Sequence, residues 1–123
     1  MVGALTWVGI AVFGALGAVA RFRVDSAVSA RFPSDFPVGT LVVNLTGAFA
    51  LGVLLGAAVP HRLALVLGTG FMGGYTTFST WMVESERLGE NGDVAGLLRN
   101  LWLSMLLGFG VAAAGWYLGQ AIA

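Results

Sequence analysis

Charged residues in this chain are confined to short islands, and the stretches between them are almost wholly apolar. Met1–Ala20, Phe36–Pro60, Leu63–Val83 and Asn100–Ala123 contain no Asp, Glu, Lys or Arg. A hydrocarbon core of about 30 Å is crossed by roughly 20 helical residues, so each window is long enough to span it. The pattern predicts an all-α integral membrane protein with four transmembrane helices, at about residues 2–23, 37–59, 63–88 and 94–121, forming one domain over 1–123. A soluble four-helix bundle needs a polar face on every helix, and these windows do not supply one. The first window lacks the charged start and the small-residue cleavage site of a signal peptide.

The islands read as connections. Arg21, Asp25, Arg31 and Asp35, closed by Pro33 and Pro37, predict an interfacial loop, and Pro37 suits the first turn of the second helix. Pro60-His61-Arg62 is a short turn, which makes the second and third helices antiparallel neighbours. Gly89–Asp93 is a turn signal, and Asp93 is placed to cap the fourth helix. Small residues recur at four-residue spacing: Gly14 and Ala18; Ala48, Gly52 and Gly56; Gly108 and Ala112; Gly115 and Gly119. In lipid such faces let backbones approach closely, either within one chain or between subunits. A four-helix chain of this size has little interior of its own, which favours a dimer.

Composition excludes several classes. Six basic and six acidic residues cancel, so there is no basic surface for nucleic acid. The absence of cysteine excludes a disulfide framework and a thiolate metal site. All six cations are Arg. Arg23, Arg31 and Arg99, with Arg21 and Arg87 at the border, share one side of the membrane against Arg62 on the other, which by the positive-inside rule places both termini outside. The single His61 has no second ligand, and Glu84 and Glu86 point to different sides of a helix. No phosphate loop or nucleophile elbow is present, so no enzyme is expected.

Polar groups at membrane depth are costly and mark function. Thr40 and Asn44 are one turn apart on the second helix, and Asn100 and Ser104 on the fourth. A hydroxyl often bonds back to its own turn; an amide cannot satisfy itself so simply, and Asn44 reads either as interhelical glue or as a pore-lining donor. Arg21 reads either as a snorkelling partner of Asp25 or as part of a pathway. The strongest signal is "GFMGGYTTFSTWMVES", Gly70–Ser85. Gly73-Gly74 weakens the helix, and Thr76-Thr77 add β-branched side chains with competing hydroxyls. A broken helix is tolerated in the membrane where its freed backbone meets protein, water or an ion. Freed carbonyls suit a cation and freed N–H groups an anion. Phe78 and Trp81 share a face directly after the break, and aromatic ring edges are positive.

"GGYTTFSTWMVE" resembles the third-helix signature of the Fluc (CrcB) fluoride channels, usually Gly-Gly-x-Thr-Thr-Phe-Ser-Thr-Phe followed shortly by Glu. "GALGAVARF", "GTLVVNLTGAFALG" and "LSMLLGFGVAAAGWYLG" resemble the family's other helices, in register over nearly the whole chain. The resemblance implies an antiparallel, dual-topology dimer in a prokaryotic plasma membrane, with two fluoride pathways and passive export of fluoride. It implies a structural sodium ion (Na+) at the dimer centre, held by the backbone carbonyls of Gly73 and Thr76. Phe78 and Trp81 would belong to a box of ring edges, Asn44 would donate to fluoride, and Thr40, Ser79, Thr80 and Ser104 would supply hydroxyls. Arg21 would stand near the aqueous vestibule, and Glu84 matches the helix-three carboxylate. Fluoride is small and strongly hydrated, and compact neutral donors on a narrow track replace its water without binding too tightly to release.

The chain departs from the pattern at Trp81, where the family usually has Phe, and at Asn100, often Tyr, one turn before Ser104; both are expected to line the anion pathway. Either change is expected to weaken one pathway per subunit. The Arg bias sits poorly with equal dual topology, so the partner is either a second copy or an oppositely oriented homologue. A small multidrug-resistance-type transporter needs an acidic residue in its first helix, and Met1–Ala20 has none. A non-conducting assembly subunit would leave the polar track idle.

Overall fold

The computed structural model describes residues 2–123. Met1, which opens the first charge-free window and the predicted domain, lies outside them. Helix α1 covers Ala4–Arg31 and α2 Val38–Gly56. Helix α3 covers 61–75 and is composite: an α-turn His61–Ala64, a π-helical stretch Leu65–Met72 and a last turn Gly73–Tyr75. After an interruption at 76–78 the chain resumes as α4, Ser79–Glu90, and ends in α5, Val94–Ile122. Among the described residues α1, α2 and α5 are each long and apolar enough to cross a membrane unbroken; α3 and α4 together make the fourth, interrupted segment.

The first helix was expected to end near residue 23 and instead runs to Arg31, absorbing most of the predicted interfacial loop. Its 28 residues reach about 42 Å at 1.5 Å per residue, beyond a hydrocarbon core of about 30 Å. Charges end the membrane-embedded part of a helix, not the helix itself. Arg23, Asp25 and Arg31 therefore sit on a helical overhang. The second helix stops at Gly56, short of the predicted 59, and Ala58 takes a positive φ of 52° in the turn that follows. The cap on the last helix is as expected: the Asp93 side chain accepts from the Gly96 N–H at 2.8 Å.

Packing follows membrane rather than water logic. Leu5, Phe22, Phe109 and Tyr117 face outward, while Gly17, Gly47, Gly52, Gly56, Gly70, Gly115 and Gly119 are buried. The most extensive contact joins α2 and α5, and α1 packs along α3. A Cβ on Gly52 would overlap the Ala112 carbonyl, and one on Gly115 the Phe49 carbonyl. The same reciprocity holds between α1 and α3, where a Cβ on Gly74 would overlap the Gly14 carbonyl and one on Gly17 the Phe71 carbonyl. These small-residue faces are thus used inside the chain. Gly108, by contrast, has nothing within 4 Å of where its Cβ would stand.

The break lies at Thr76–Phe78, just after the glycines expected to cause it. Gly73 and Gly74 are themselves helical, and Gly74 serves the close approach to α1. The π-helical stretch before it had no expectation in the sequence. Its i→i+5 bonding is rare and concentrates at functional sites.

Candidate functional site

The interruption is held open from another helix. Thr76 turns extended, with φ −80° and ψ 157°. The Thr77 N–H then donates to Asn44 Oδ1 at 2.9 Å, and Asn44 Nδ2 donates to the Thr77 carbonyl at 2.9 Å. Both polar groups of one peptide residue are thereby satisfied by one side chain on α2, which is what an interrupted helix in lipid requires. The Thr80 N–H donates to Thr77 Oγ1 at 3.3 Å, and that hydroxyl donates to Thr80 Oγ1 at 3.2 Å.

This arrangement fixes which acceptors are released. In an α-helix the Gly73 carbonyl would receive the Thr77 N–H, and the Thr76 carbonyl the Thr80 N–H. Both donors are diverted, to Asn44 and to Thr77 Oγ1. The Gly73 and Thr76 carbonyls, the pair singled out by the resemblance, have thus lost their helical donors. The Thr76 hydroxyl is directed away, donating to the Met72 carbonyl at 2.9 Å.

Three clefts meet around this point. One of 370 Å³, between α2, α3 and the break, is walled by Asn44, Gly73, Thr76, Thr77, Phe78 and Trp81 among others. A second of 310 Å³, between α2 and α5, shares Asn44, Ala48 and Trp81 with the first and adds Ser104, Gly108 and Phe109. A third of 220 Å³ is lined by Arg21, Asp25, Thr40, Val43, Thr77 and Thr80. The Asn44–Thr77 pair stands where these clefts adjoin.

Of the predicted residues, Asn44, Thr80, Phe78, Trp81 and Ser104 gather here. Phe78 is 68% exposed and meets Trp81 edge-on, with centroids 5.7 Å apart at 77°. Ser104 lines the second cleft, and its Oγ is buried with no hydrogen-bond partner among the described residues. Arg21 Nε is likewise buried and unpartnered among the described residues, in the third cleft beside Asp25. Thr40 is buried and donates to Glu84 Oε1, so its hydroxyl proton is already committed. Ser79 is exposed and lines none of these clefts.

Asn100 is the predicted residue placed most differently from a pathway position. It is 1% exposed, lines none of the three clefts, and donates from Nδ2 to Ser85 Oγ at 2.7 Å. The Trp81 indole N–H donates to the Asn100 carbonyl at 3.1 Å. The indole donor is therefore spent on the backbone of α5 at position 100, an acceptor that does not depend on the side chain there. Ser85 and the Thr40–Glu84 pairing escaped sequence reasoning. The spacing of Ser85 four residues after Trp81 was the available signal, and it was indistinguishable from ordinary back-bonding.

An interrupted helix, neutral donors and two aromatic edges between otherwise unbroken spans define a small polytopic membrane protein of the channel or transporter class. Residues 8–116 match the family described as "CrcB-like protein, Camphor Resistance (CrcB)", and the chain belongs to that family. It is 48% identical over 114 residues to "Fluoride-specific ion channel FluC 2" of Mycobacterium tuberculosis (strain ATCC 25618 / H37Rv), covering 93% of this chain and 90% of the relative. It is 50% identical over 116 residues to the protein of the same name in Mycolicibacterium paratuberculosis, covering 94% and 95%. "Fluoride-specific ion channel FluC 1" of Listeria innocua is 44% identical over 108 residues, covering 87% and 92%. These relatives bear the names of channels and not of enzymes. The chain is a prokaryotic-type membrane protein by its spans and its bacterial relatives.

Proposed function

We propose that this chain is the subunit of a fluoride-selective channel that lets fluoride leave the cytoplasm passively across the plasma membrane. The observation that supports it most is the two-way pairing of Asn44 with Thr77, which opens a helix at membrane depth beside neutral donors and ring edges. The names of relatives at 48% and 50% identity carry the choice of ion. Ser104 Oγ, the free side of Thr80 Oγ1 and the edges of Phe78 and Trp81 are the groups we assign to dehydrated fluoride, with Arg21 drawing anions into the third cleft. A fixed charge directly on the path would hold fluoride too long; short neutral donors do not.

The assembly we propose is an antiparallel dual-topology dimer with two pathways. Its support is the outward-facing Phe78 and the two lateral clefts, which a single chain leaves open to lipid. The Gly73 and Thr76 carbonyls are the groups that would hold a structural Na+ at the dimer centre; two acceptors without helical donors fit a hard, oxygen-seeking cation. Bound there, the ion would supply charge that fixes the break. The partner is a second copy or an oppositely oriented homologue, and the numbering of relatives as FluC 1 and FluC 2 is in keeping with the latter.

Fluoride efflux from liposomes holding the purified protein tests the reading. Fast, fluoride-selective loss supports it; proton-coupled uptake of organic cations would mark a transporter, and neither would mark an assembly subunit. Robust efflux from the chain expressed alone would remove the need for a heterologous partner. In the same assay Phe78→Ile, which keeps bulk and removes the ring edge, is expected to lower flux about fivefold, the value of one aromatic contact of about 1 kcal/mol. Normal conduction by Phe78→Ile would take Phe78 off the pathway.

A further inference from the structure

Trp81 is bonded through its ring to α5 and through its carbonyl to Ser85 on its own helix. Its ring N–H donates to the Asn100 backbone carbonyl at 3.1 Å. The Asn100 amide donates to Ser85 Oγ at 2.7 Å, and the Ser85 hydroxyl donates to the Trp81 carbonyl at 2.8 Å. Three hydrogen bonds thus close a ring through Trp81, Asn100 and Ser85. Asn100 and Ser85 are 1% and 3% exposed, so neither amide nor hydroxyl has water as an alternative partner. In that setting a paired network holds its geometry, and a half-broken one costs the desolvation of each orphaned group.

We infer that Asn100 and Ser85 are positioning residues: their side-chain bond fixes α5 against α4 so that the Asn100 backbone carbonyl holds the Trp81 indole N–H on α5 and out of the ion path. Trp81 walls the clefts on both sides of Asn44, so its orientation decides what a passing anion meets there. With the N–H anchored, the indole offers carbon edge and face. Released, it would swing a strong donor into a track where tight binding slows escape. The clamp also sets Phe78, whose ring packs edge-on against the indole at 77°. Asn100 therefore acts on the pathway through Trp81 and not by touching the ion.

The inference rests on the fluoride reading for its flux consequence, and the test separates the two. Asn100→Leu keeps the volume and the backbone carbonyl that accepts the indole N–H, and removes the side-chain amide that ties α5 to Ser85 and so holds that carbonyl in line with the ring. In liposomes it is expected to reduce fluoride flux about tenfold, the effect of one buried hydrogen bond at 1–1.5 kcal/mol. Ser85→Ala is expected to act in the same direction. Added to Trp81→Phe, which has no N–H to release, Asn100→Leu is expected to lower flux no further; the two changes are non-additive because they break one device. Unchanged flux in Asn100→Leu, or an equal fall with and without Trp81→Phe, would overturn the clamp. A second readout needs no conduction. The other tryptophans, Trp7, Trp102 and Trp116, are 62%, 60% and 41% exposed, and their replacement by Phe leaves Trp81 as the single emitter. Its fluorescence anisotropy is expected to drop, with a broader lifetime distribution, on Asn100→Leu or Ser85→Ala. Identical emission in clamped and unclamped proteins would reject the clamp; a silent wild-type channel with a responsive Trp81 would reject only the fluoride reading.

Discussion

Asn44→Leu is expected to abolish most fluoride flux, by at least about a hundredfold, and to lower thermal stability in detergent at the same time. Asn44 serves Thr77 twice, as acceptor for its N–H and as donor to its carbonyl, each at 2.9 Å. Leucine fills similar space and serves neither. Leaving two polar backbone groups unpaired costs about 1–3 kcal/mol each, and lipid offers no water to soften that. The chain has one escape, which is to let the Thr77 N–H return to the Gly73 carbonyl and rebuild the helix. That relieves the N–H but closes the break and withdraws a carbonyl we assign to Na+. A loss of about 3 kcal/mol from the conducting arrangement corresponds to roughly a hundredfold in rate. Flux and stability falling together would mean that the amide acts on the break. Loss of flux with an unchanged melting temperature would mean that it acts on the ion alone, and full flux in Asn44→Leu would remove it from the mechanism.

This residue shows where sequence reading reaches and where it stops. The spans were legible because a bilayer excludes charge, and Phe36–Pro60 or Asn100–Ala123 admit no other use for so long an uncharged run. The break was legible from its hydroxyls and glycines, but its cause was not. Asn44 lies 33 residues before Thr77, and nothing local announces that one amide will capture one peptide group. Glycine at 73 and 74 took the credit for a break that begins at Thr76, because a glycine weakening a helix and a glycine admitting a neighbour look the same in one dimension. The π-helical Leu65–Met72 carries no distinguishing letters. It lies where Gly9, Gly70 and Gly74 bring α1 and α3 into contact, a relation between helices. Asn100 is a similar case: polar at membrane depth, it reads as pathway in one dimension, while its bonds to Ser85 and Trp81 on α4 are visible only in the fold.

The α2–α5 contact yields the second large expectation. Gly52→Ala and Gly115→Ala are each expected to destabilise the protein by about 1–3 kcal/mol, the usual effect of overpacking, and to reduce flux with it. The sign needs deciding, since alanine is favoured over glycine within a helix by about 1 kcal/mol. At Gly110, exposed and with nothing within 4 Å of its Cβ position, that preference stands alone, and Gly110→Ala is expected to be neutral or slightly stabilising. At Gly52 the new methyl meets the Ala112 carbonyl, and at Gly115 the Phe49 carbonyl. These are backbone atoms, which move only if a helix moves, so overpacking wins. Parting α2 from α5 also shifts Asn44, which sits on α2 and must keep its reach to Thr77, and it widens the cleft that holds Ser104. Both glycines serve one contact, so Gly52→Ala combined with Gly115→Ala is expected to cost less than the two separately. Melting temperatures of the three single variants and the double variant, read beside their efflux rates, check this. Equal behaviour of Gly52→Ala and Gly110→Ala would show that α2 and α5 do not meet backbone to backbone.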